Sequence, residues 1–161
     1  MRWMFLIAAA LCGGGAAPVV AADMTPGIQA RTMLLAFQCG QYASLAKKQQ
    51  EQKALYAYGI DAGRVFLRAV HEKRLTKKDA DENVPMIVGW IVGGGGPSDD
   101  FIIGRLFEAI TSDASDDIIK RDANGMLLAP EKWVTEAGLQ QSFARTRYDT
   151  ANCWAIAEKS K

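Results

Sequence analysis

The chain has 161 residues, with 19 basic side chains against 18 acidic ones, and 49% of its residues are hydrophobic. A chain of this length is sufficient for one domain with its own core. Nucleic-acid-binding proteins usually have a basic surface that neutralises phosphates, and the near-zero net charge implies none here. We therefore expect no nucleic-acid partner.

The first 22 residues have the layout of a secretory signal peptide. Arg2 supplies the positive start, residues 3–11 are apolar, and a Val-Ala-Ala site precedes Asp23. An uncleaved anchor is the alternative, but glycines 13–15 and Pro18 interrupt the helix well short of the ~20 apolar residues that a span needs. We expect cleavage before Asp23, which leaves a formally neutral protein without a transmembrane anchor in the bacterial periplasm.

Two cysteines, Cys39 and Cys153, remain after Cys12 leaves with the signal peptide. Acylation of Cys12 is not expected, because Leu11 stands where a lipobox has Gly, Ala or Ser. In an oxidising compartment the remaining pair predicts one disulfide, with two free buried thiols as the alternative. Closing so long a loop would stabilise the fold by up to ~4–5 kcal/mol in the chain-entropy model. Neither cysteine belongs to a C-x-x-C motif, so redox catalysis is not expected.

Two helices are predicted next. Thr25 is a cap and Pro26 suits the first turn of the first helix. The second helix runs from about residue 52 to residue 73, and Gly59 and Gly63 lie four apart on it. This glycine pair favours a close helix crossing over a recess for a ligand. The first helix has one predicted buried face, formed by Leu35, Cys39, Tyr42 and Ala46.

A capping arrangement at Thr76, with the carboxylate of Asp79 three residues later, precedes a third segment that is expected to run from residue 81 to residue 92. Residues 86–92 are all apolar or glycine, and this stretch is too short to cross a bilayer. We interpret it as a buried helix through the centre of the bundle that Pro85 starts or kinks. A strand is the alternative because Ile and Val are β-branched, but no second strand is available for pairing.

The glycines at 93–96, followed by Pro97, predict a sharp corner, and Ser98 is the cap of a fourth helix. An anion site is a weaker interpretation of this corner. The Gly-Lys-Ser/Thr ending of a P-loop is missing, and Asp99 and Asp100 would repel phosphate. The fourth helix presents a core face made of Ile103, Leu106, Phe107 and Ile110.

The remainder of the chain completes an all-α fold. We predict a single compact bundle of about five to six helices over residues 23–161, in which the Cys39–Cys153 disulfide ties the first helix to the last. No internal repeat or domain linker is present. After the fourth helix, the sequence predicts that residues 116–119 are helical and that residues 123–125 form a turn. A further helix is predicted to start at residues 129–131, and a last helical stretch runs through Phe143, Tyr148 and Trp154.

Catalytic and metal-binding signals are sparse. His71 is the only histidine and stands in a charged stretch where a helix ends, so we expect neither a metal site nor a cofactor. No serine stands in the Gly-x-Ser-x-Gly elbow of a hydrolase. Paired carboxylates leave an envelope hydrolase as an alternative, with Asp99, Asp100 and Glu108 as its catalytic residues.

We therefore expect a non-enzymatic protein that binds another protein of the cell envelope, of the inhibitor, immunity or stress-protective type. A small exported helical protein with one long-range cysteine pair is similar in architecture to bacterial periplasmic immunity proteins and acid-stress chaperones, a likeness that carries over no functional residue. A small-molecule carrier with a site lined by Tyr58, Trp90 and Phe101 is a further alternative. The candidate binding residues are Tyr58, Trp90, Asp99, Asp100 and Phe101.

Overall fold

Seven α-helices form the fold in the computed structural model, which describes residues 24–122 and 124–160. The predicted signal peptide lies outside the described residues. All described secondary structure is helical apart from one isolated bridge between Arg121 and Leu127. The helices are α1 (Pro26–Leu45), α2 (Gln49–His71), α3 (Lys77–Asn83), α4 (Met86–Gly93), α5 (Asp99–Ile119), α6 (Ala137–Thr150) and α7 (Cys153–Lys159).

Three of the predicted helix starts are confirmed. The hydroxyl groups of Thr25, Thr76 and Ser98 each accept the backbone N–H of the third residue that follows, and so cap α1, α3 and α5. Such caps satisfy donors that the first helical turn cannot pair by itself. The beginnings of these three helices are therefore set by local sequence.

Helices α1, α2 and α5 form the centre of the bundle. The two predicted close-packing glycines lie where α2 meets its neighbours: a Cβ atom on Gly59 would lie 2.6 Å from the ring of Phe37, and one on Gly63 would lie 2.8 Å from Met33 Sδ. The close helix crossing is thus confirmed. At the other end of α1, Tyr42 contacts Asp117 of α5 through a 3.0 Å hydrogen bond.

A disulfide between Cys39 of α1 and Cys153 of α7 ties the first helix to the last, as predicted. Both cysteines are fully buried. They belong to a cluster that α6 and α7 complete against α1 and the end of α5. This cluster contains Tyr42, Ala43, Leu55, Ala114, Ile118, Ala144, Tyr148 and Ala157.

The predicted third segment is wrong in two respects. It is divided into α3 and α4 at Val84 and Pro85, and α4 is a short helix packed against α5 rather than a buried helix through the centre. Proline cannot continue a helix from the preceding residues, and glycines 94–96 follow α4 at once. An eight-residue helix is only about 12 Å long and presents one face to its neighbour.

Smaller differences concern the second half of the chain. Only a short 3-10 helix, Pro130–Lys132, forms where a full helix was expected. The last predicted stretch is two helices, because Asn152 adopts a left-handed conformation between them. These divisions raise the helix count above the predicted five to six. Leu35, which was predicted to lie on the buried face of the first helix, is exposed.

Candidate functional site

Helix α4 contains no charged residue, and several of its large apolar side chains are exposed. Val88 and Ile91 are buried, whereas Met86 is 68% exposed and Trp90 is 69% exposed. Ile87 is also exposed. The apolar residues of α4 therefore cover two faces of the helix, and the helix turns only one of them toward the core.

Phe101 extends this apolar surface onto the first turn of α5. Its backbone N–H donates to Ser98 Oγ at 3.2 Å, and its ring is 47% exposed. The ring lies against the loop that follows α4, because a Cβ atom on Gly96 would lie 2.6 Å from Phe101 Cδ1. We call the surface made of Met86, Ile87, Trp90 and Phe101 the α4 face.

Two glycines give the α4 face its shape. Gly89 and Gly93 lie on α4 with open space where a Cβ atom would be, and both are exposed. Glycine inside a helix costs about 1 kcal/mol relative to alanine. No internal contact requires either glycine, so their effect on the molecule is to leave bare backbone beside Trp90 that another molecule can approach closely.

The size of the α4 face is typical of a functional surface. Four large apolar side chains that are each more than a third exposed present a few hundred Å² of apolar area to water. The largest apolar patch on a typical monomer is about 300–600 Å² and is often functional. The α4 face falls in this range.

Charged residues lie next to Phe101, where the end of α2 meets the start of α5. His71 Nε2 lies 2.8 Å from Asp99 Oδ1, and Arg64 donates to Asp100 Oδ1 at 3.2 Å. We call this region the rim cleft, which has a volume of about 510 Å³. Its lining is made of Arg64, Arg68, His71, Glu72, Ser98, Asp99 and Asp100.

The rim cleft contains a serine, a histidine and an aspartate, the residue types of a hydrolytic triad. Ser98 Oγ accepts the N–H of Phe101, and His71 Nε2 pairs with Asp99. Among the described residues, no hydrogen bond joins Ser98 to His71. A nucleophile has to lie within hydrogen-bond reach of its base. In this arrangement Ser98 caps α5 and His71 is hydrogen-bonded to Asp99.

Glu108, the third residue of the hydrolase alternative, lies away from the aspartates. It is eight residues beyond Asp100 on the same helix, which corresponds to about 12 Å along the axis. The paired carboxylates of glycosidases are about 5–9.5 Å apart. The structure thus brings Asp99 and Asp100 into one cleft but does not bring Glu108 to them.

Tyr58, the remaining candidate, lies elsewhere on α2. It is half-buried, and burial raises the pKa of its hydroxyl group. It precedes Arg64 by six residues, which places it about 9 Å along the axis and about 120° round the helix from Arg64. Of the predicted binding residues, Asp99, Asp100 and Phe101 are neighbours on α5, Trp90 lies on α4, and Tyr58 lies elsewhere on α2.

Met86 and Ile87 belong to the candidate site, and sequence reasoning assigned them to the core. An all-apolar segment carries no polar residue to mark its outer face, so periodicity could not separate the two faces. A signal was available in the two glycines at 89 and 93, because glycines four apart on a short helix favour a close contact.

Within residues 24–122 and 124–160, no group of three or more histidine, cysteine or acidic side chains is placed to hold a metal ion. No helix in the same part of the chain is long and apolar enough to cross a bilayer. Comparisons with protein-family models, curated proteins and solved structures gave no match.

Proposed function

We propose that this protein is an exported, non-enzymatic binding protein of the inhibitor, immunity or stress-protective type. Its target is another protein of the cell envelope, which it contacts through the α4 face. The observation that carries the proposal is the exposure of Trp90 and Met86 on a helix that has no charged residue. A solvated surface helix normally has a charged or polar outer face.

The composition of this region supports a protein partner. Tryptophan, phenylalanine, methionine and arginine are enriched in protein interfaces, and an apolar centre with a polar border is the usual arrangement. Here Met86, Trp90 and Phe101 form the apolar centre, and the Arg64–Asp100 ion pair lies at its border. Covering ~400 Å² of apolar area at ~25 cal/mol per Å² contributes about 10 kcal/mol before the entropic costs of association.

The covalent structure supports export. A buried disulfide that closes 114 residues of chain is typical of proteins that fold in an oxidising compartment. Sequencing the amino terminus of the protein from a periplasmic fraction tests this part of the proposal. We expect the sequence to begin at Asp23, and a retained Met1 in the membrane fraction would contradict it.

The binding surface is tested by comparing two tryptophan variants. Trp90→Ala removes the centre of the α4 face, whereas Trp154→Ala removes a 52% exposed tryptophan from α7 and is the matched control. Wild type and both variants are used to capture partners from an envelope extract, and the dissociation constant of each captured protein is then measured with purified components. We expect at least a tenfold loss of affinity (~1.4 kcal/mol) for Trp90→Ala and less than a twofold change for Trp154→Ala.

Either of two outcomes would contradict the proposal. In the first, Trp90→Ala captures the same proteins with the same affinities as the wild type. In the second, both tryptophan variants lose binding equally. The hydrolase and carrier alternatives predict no loss of a protein partner in either variant. Asp99 is hydrogen-bonded to His71 and Asp100 to Arg64, and these contacts give the hydrolase alternative no support.

A further inference from the structure

A separate cleft lies between α5, α6 and the segment that joins them, and its volume is about 620 Å³. We infer that this cleft binds one small apolar molecule that carries a hydrogen-bond acceptor, either a carboxylate or an ester carbonyl. The inference is independent of the proposed function, since no residue of the α4 face lines the cleft. Its lining is made of Asp117, Ile118, Arg121, Asp122, Leu128, Val134, Phe143, Thr146, Arg147 and Thr150.

Four of the ten lining residues are apolar. Ile118 of α5 is buried, Leu128 and Val134 belong to the joining segment, and Phe143 belongs to α6. Phe143 is 44% exposed. Ligand sites are commonly concave, mostly apolar and about 300–1,000 Å³ in volume. The cleft therefore has the size of a small-molecule site.

The joining segment is fixed in place by hydrogen bonds. The backbone N–H of Leu128 donates to the carbonyl of Lys120 at 2.8 Å, and that of Val134 donates to the carbonyl of Ile119 at 2.9 Å. Gln140 of α6 donates to the carbonyl of Val134 at 2.7 Å. The wall is thus attached to both helices, so the cleft exists without a ligand and binding requires little ordering of the chain.

Both carboxylates in the lining already accept hydrogen bonds. Asp117 accepts the hydroxyl of Tyr42 and the Nε–H of Arg147, each at 3.0 Å. Asp122 Oδ1 accepts two backbone N–H groups of the following turn at 2.8 and 2.9 Å. A cationic ligand would therefore find no carboxylate without partners, and it would lie beside two guanidinium groups.

The two arginines of the lining, Arg121 and Arg147, have more hydrogen-bond donors than their observed contacts use. Arg121 donates through Nη2 to Asp113 at 3.0 Å, but its buried Nε–H finds no acceptor among the described protein atoms. Each guanidinium group has five N–H donors and no acceptor. Thr146 and Thr150 direct their hydroxyl hydrogens to carbonyls of their own helix. Most of the polar groups that are still available at this cleft are hydrogen-bond donors. They therefore favour a ligand that carries an acceptor group.

The test uses isothermal titration calorimetry with three ten-carbon probes below their micelle concentrations. Decanoate carries a charged acceptor, monodecanoylglycerol carries an uncharged ester carbonyl, and decylamine carries a cationic donor. We expect decanoate or monodecanoylglycerol to bind at a one-to-one ratio, and decylamine to bind at least tenfold more weakly. Binding of decanoate alone would identify a free fatty acid as the ligand class, and binding of monodecanoylglycerol would extend it to acylated lipids.

Two variants locate the site. Thr146→Phe and Thr150→Phe each place a ring in the cleft, and Arg145→Phe, on the same helix but outside the lining, is the control. All three positions are exposed, so folding should be retained. We expect the two cleft variants to weaken binding at least tenfold and the control to change it less than twofold. Failure of both acceptor probes to bind the wild type, equal binding of decylamine, or undiminished binding to both cleft variants would overturn the inference.

Discussion

Thr25 and Asp79 are joined by a hydrogen bond of 2.6 Å that fastens the start of α1 to α3. The carboxylate of Asp79 also accepts the backbone N–H of Gly27 at 2.7 Å and the side-chain amide of Asn83 at 2.9 Å. Burial would raise the pKa of Asp79, but these hydrogen bonds favour the ionised form and lower it below its usual value. One buried carboxylate thus connects two helices that the cap of α1 alone would leave separate.

Asp79→Asn should lower the free energy of unfolding by about 1–3 kcal/mol at neutral pH, because hydrogen bonds to a charged acceptor are lost. The folded-state pKa is lowered, so this stability is present above the unfolded-state pKa near 3.8 and disappears as the pH falls through the folded-state value. Urea unfolding across the acid range measures it. Asp81→Asn, which removes only an exposed pair with Lys77, is the control and should change stability by less than about 1 kcal/mol. A pH-independent difference between wild type and Asp79→Asn would contradict this account.

Tyr42 should make the fold sensitive to alkali. Burial, together with the negative charge of Asp117, raises the pKa of its hydroxyl to about 12. Because the folded-state pKa is raised, the associated stability is complete below pH 10 and is lost as the pH rises from 10 to 12. Unfolding measurements in this range should show a decline in the wild type that is smaller in Tyr42→Phe. Equal declines in the two proteins would show that another group is responsible.

The same substitution should have opposite effects at two glycines. Gly89→Ala adds a Cβ atom in open space and should raise the free energy of unfolding by about 0.5–1 kcal/mol through helix propensity. Gly59→Ala would place a Cβ atom 2.6 Å from the Phe37 ring and should lower it by about 1–3 kcal/mol. Denaturant unfolding of both variants checks the pair. Destabilisation by Gly89→Ala would mean that α4 packs more tightly than its contacts indicate.

The Cys39–Cys153 bond should resist reduction in the folded protein, because both sulfur atoms are buried. Dithiothreitol followed by thiol alkylation should label neither cysteine in native buffer and both in urea, as read by mass spectrometry. Replacing both cysteines with serine should lower the free energy of unfolding by up to ~4–5 kcal/mol, since the unfolded chain regains the entropy of a long loop. Rapid labelling in native buffer would show that the bond is reached without unfolding.

The helix starts and the close crossing were predictable because they depend on neighbouring residues. Thr25 and Ser98 cap helices through bonds to residues three positions later, and Gly59 and Gly63 recur on one helix face. The faces of α4 were not predictable in this way. Its residues are uniformly apolar, so which of them meets solvent depends on where α5 lies.

The sequence by itself determined the all-helical class, the balanced charge and the pair of cysteines available for one bond, because composition, caps and periodicity are local properties. Tertiary structure decided that Trp90 faces outward, that Glu108 is remote from Asp100, and that Arg121 and Phe143 line one cleft. These relations join residues that no local pattern connects. They arise from helix packing, in which a limited set of neighbours covers some apolar faces and leaves others in contact with water.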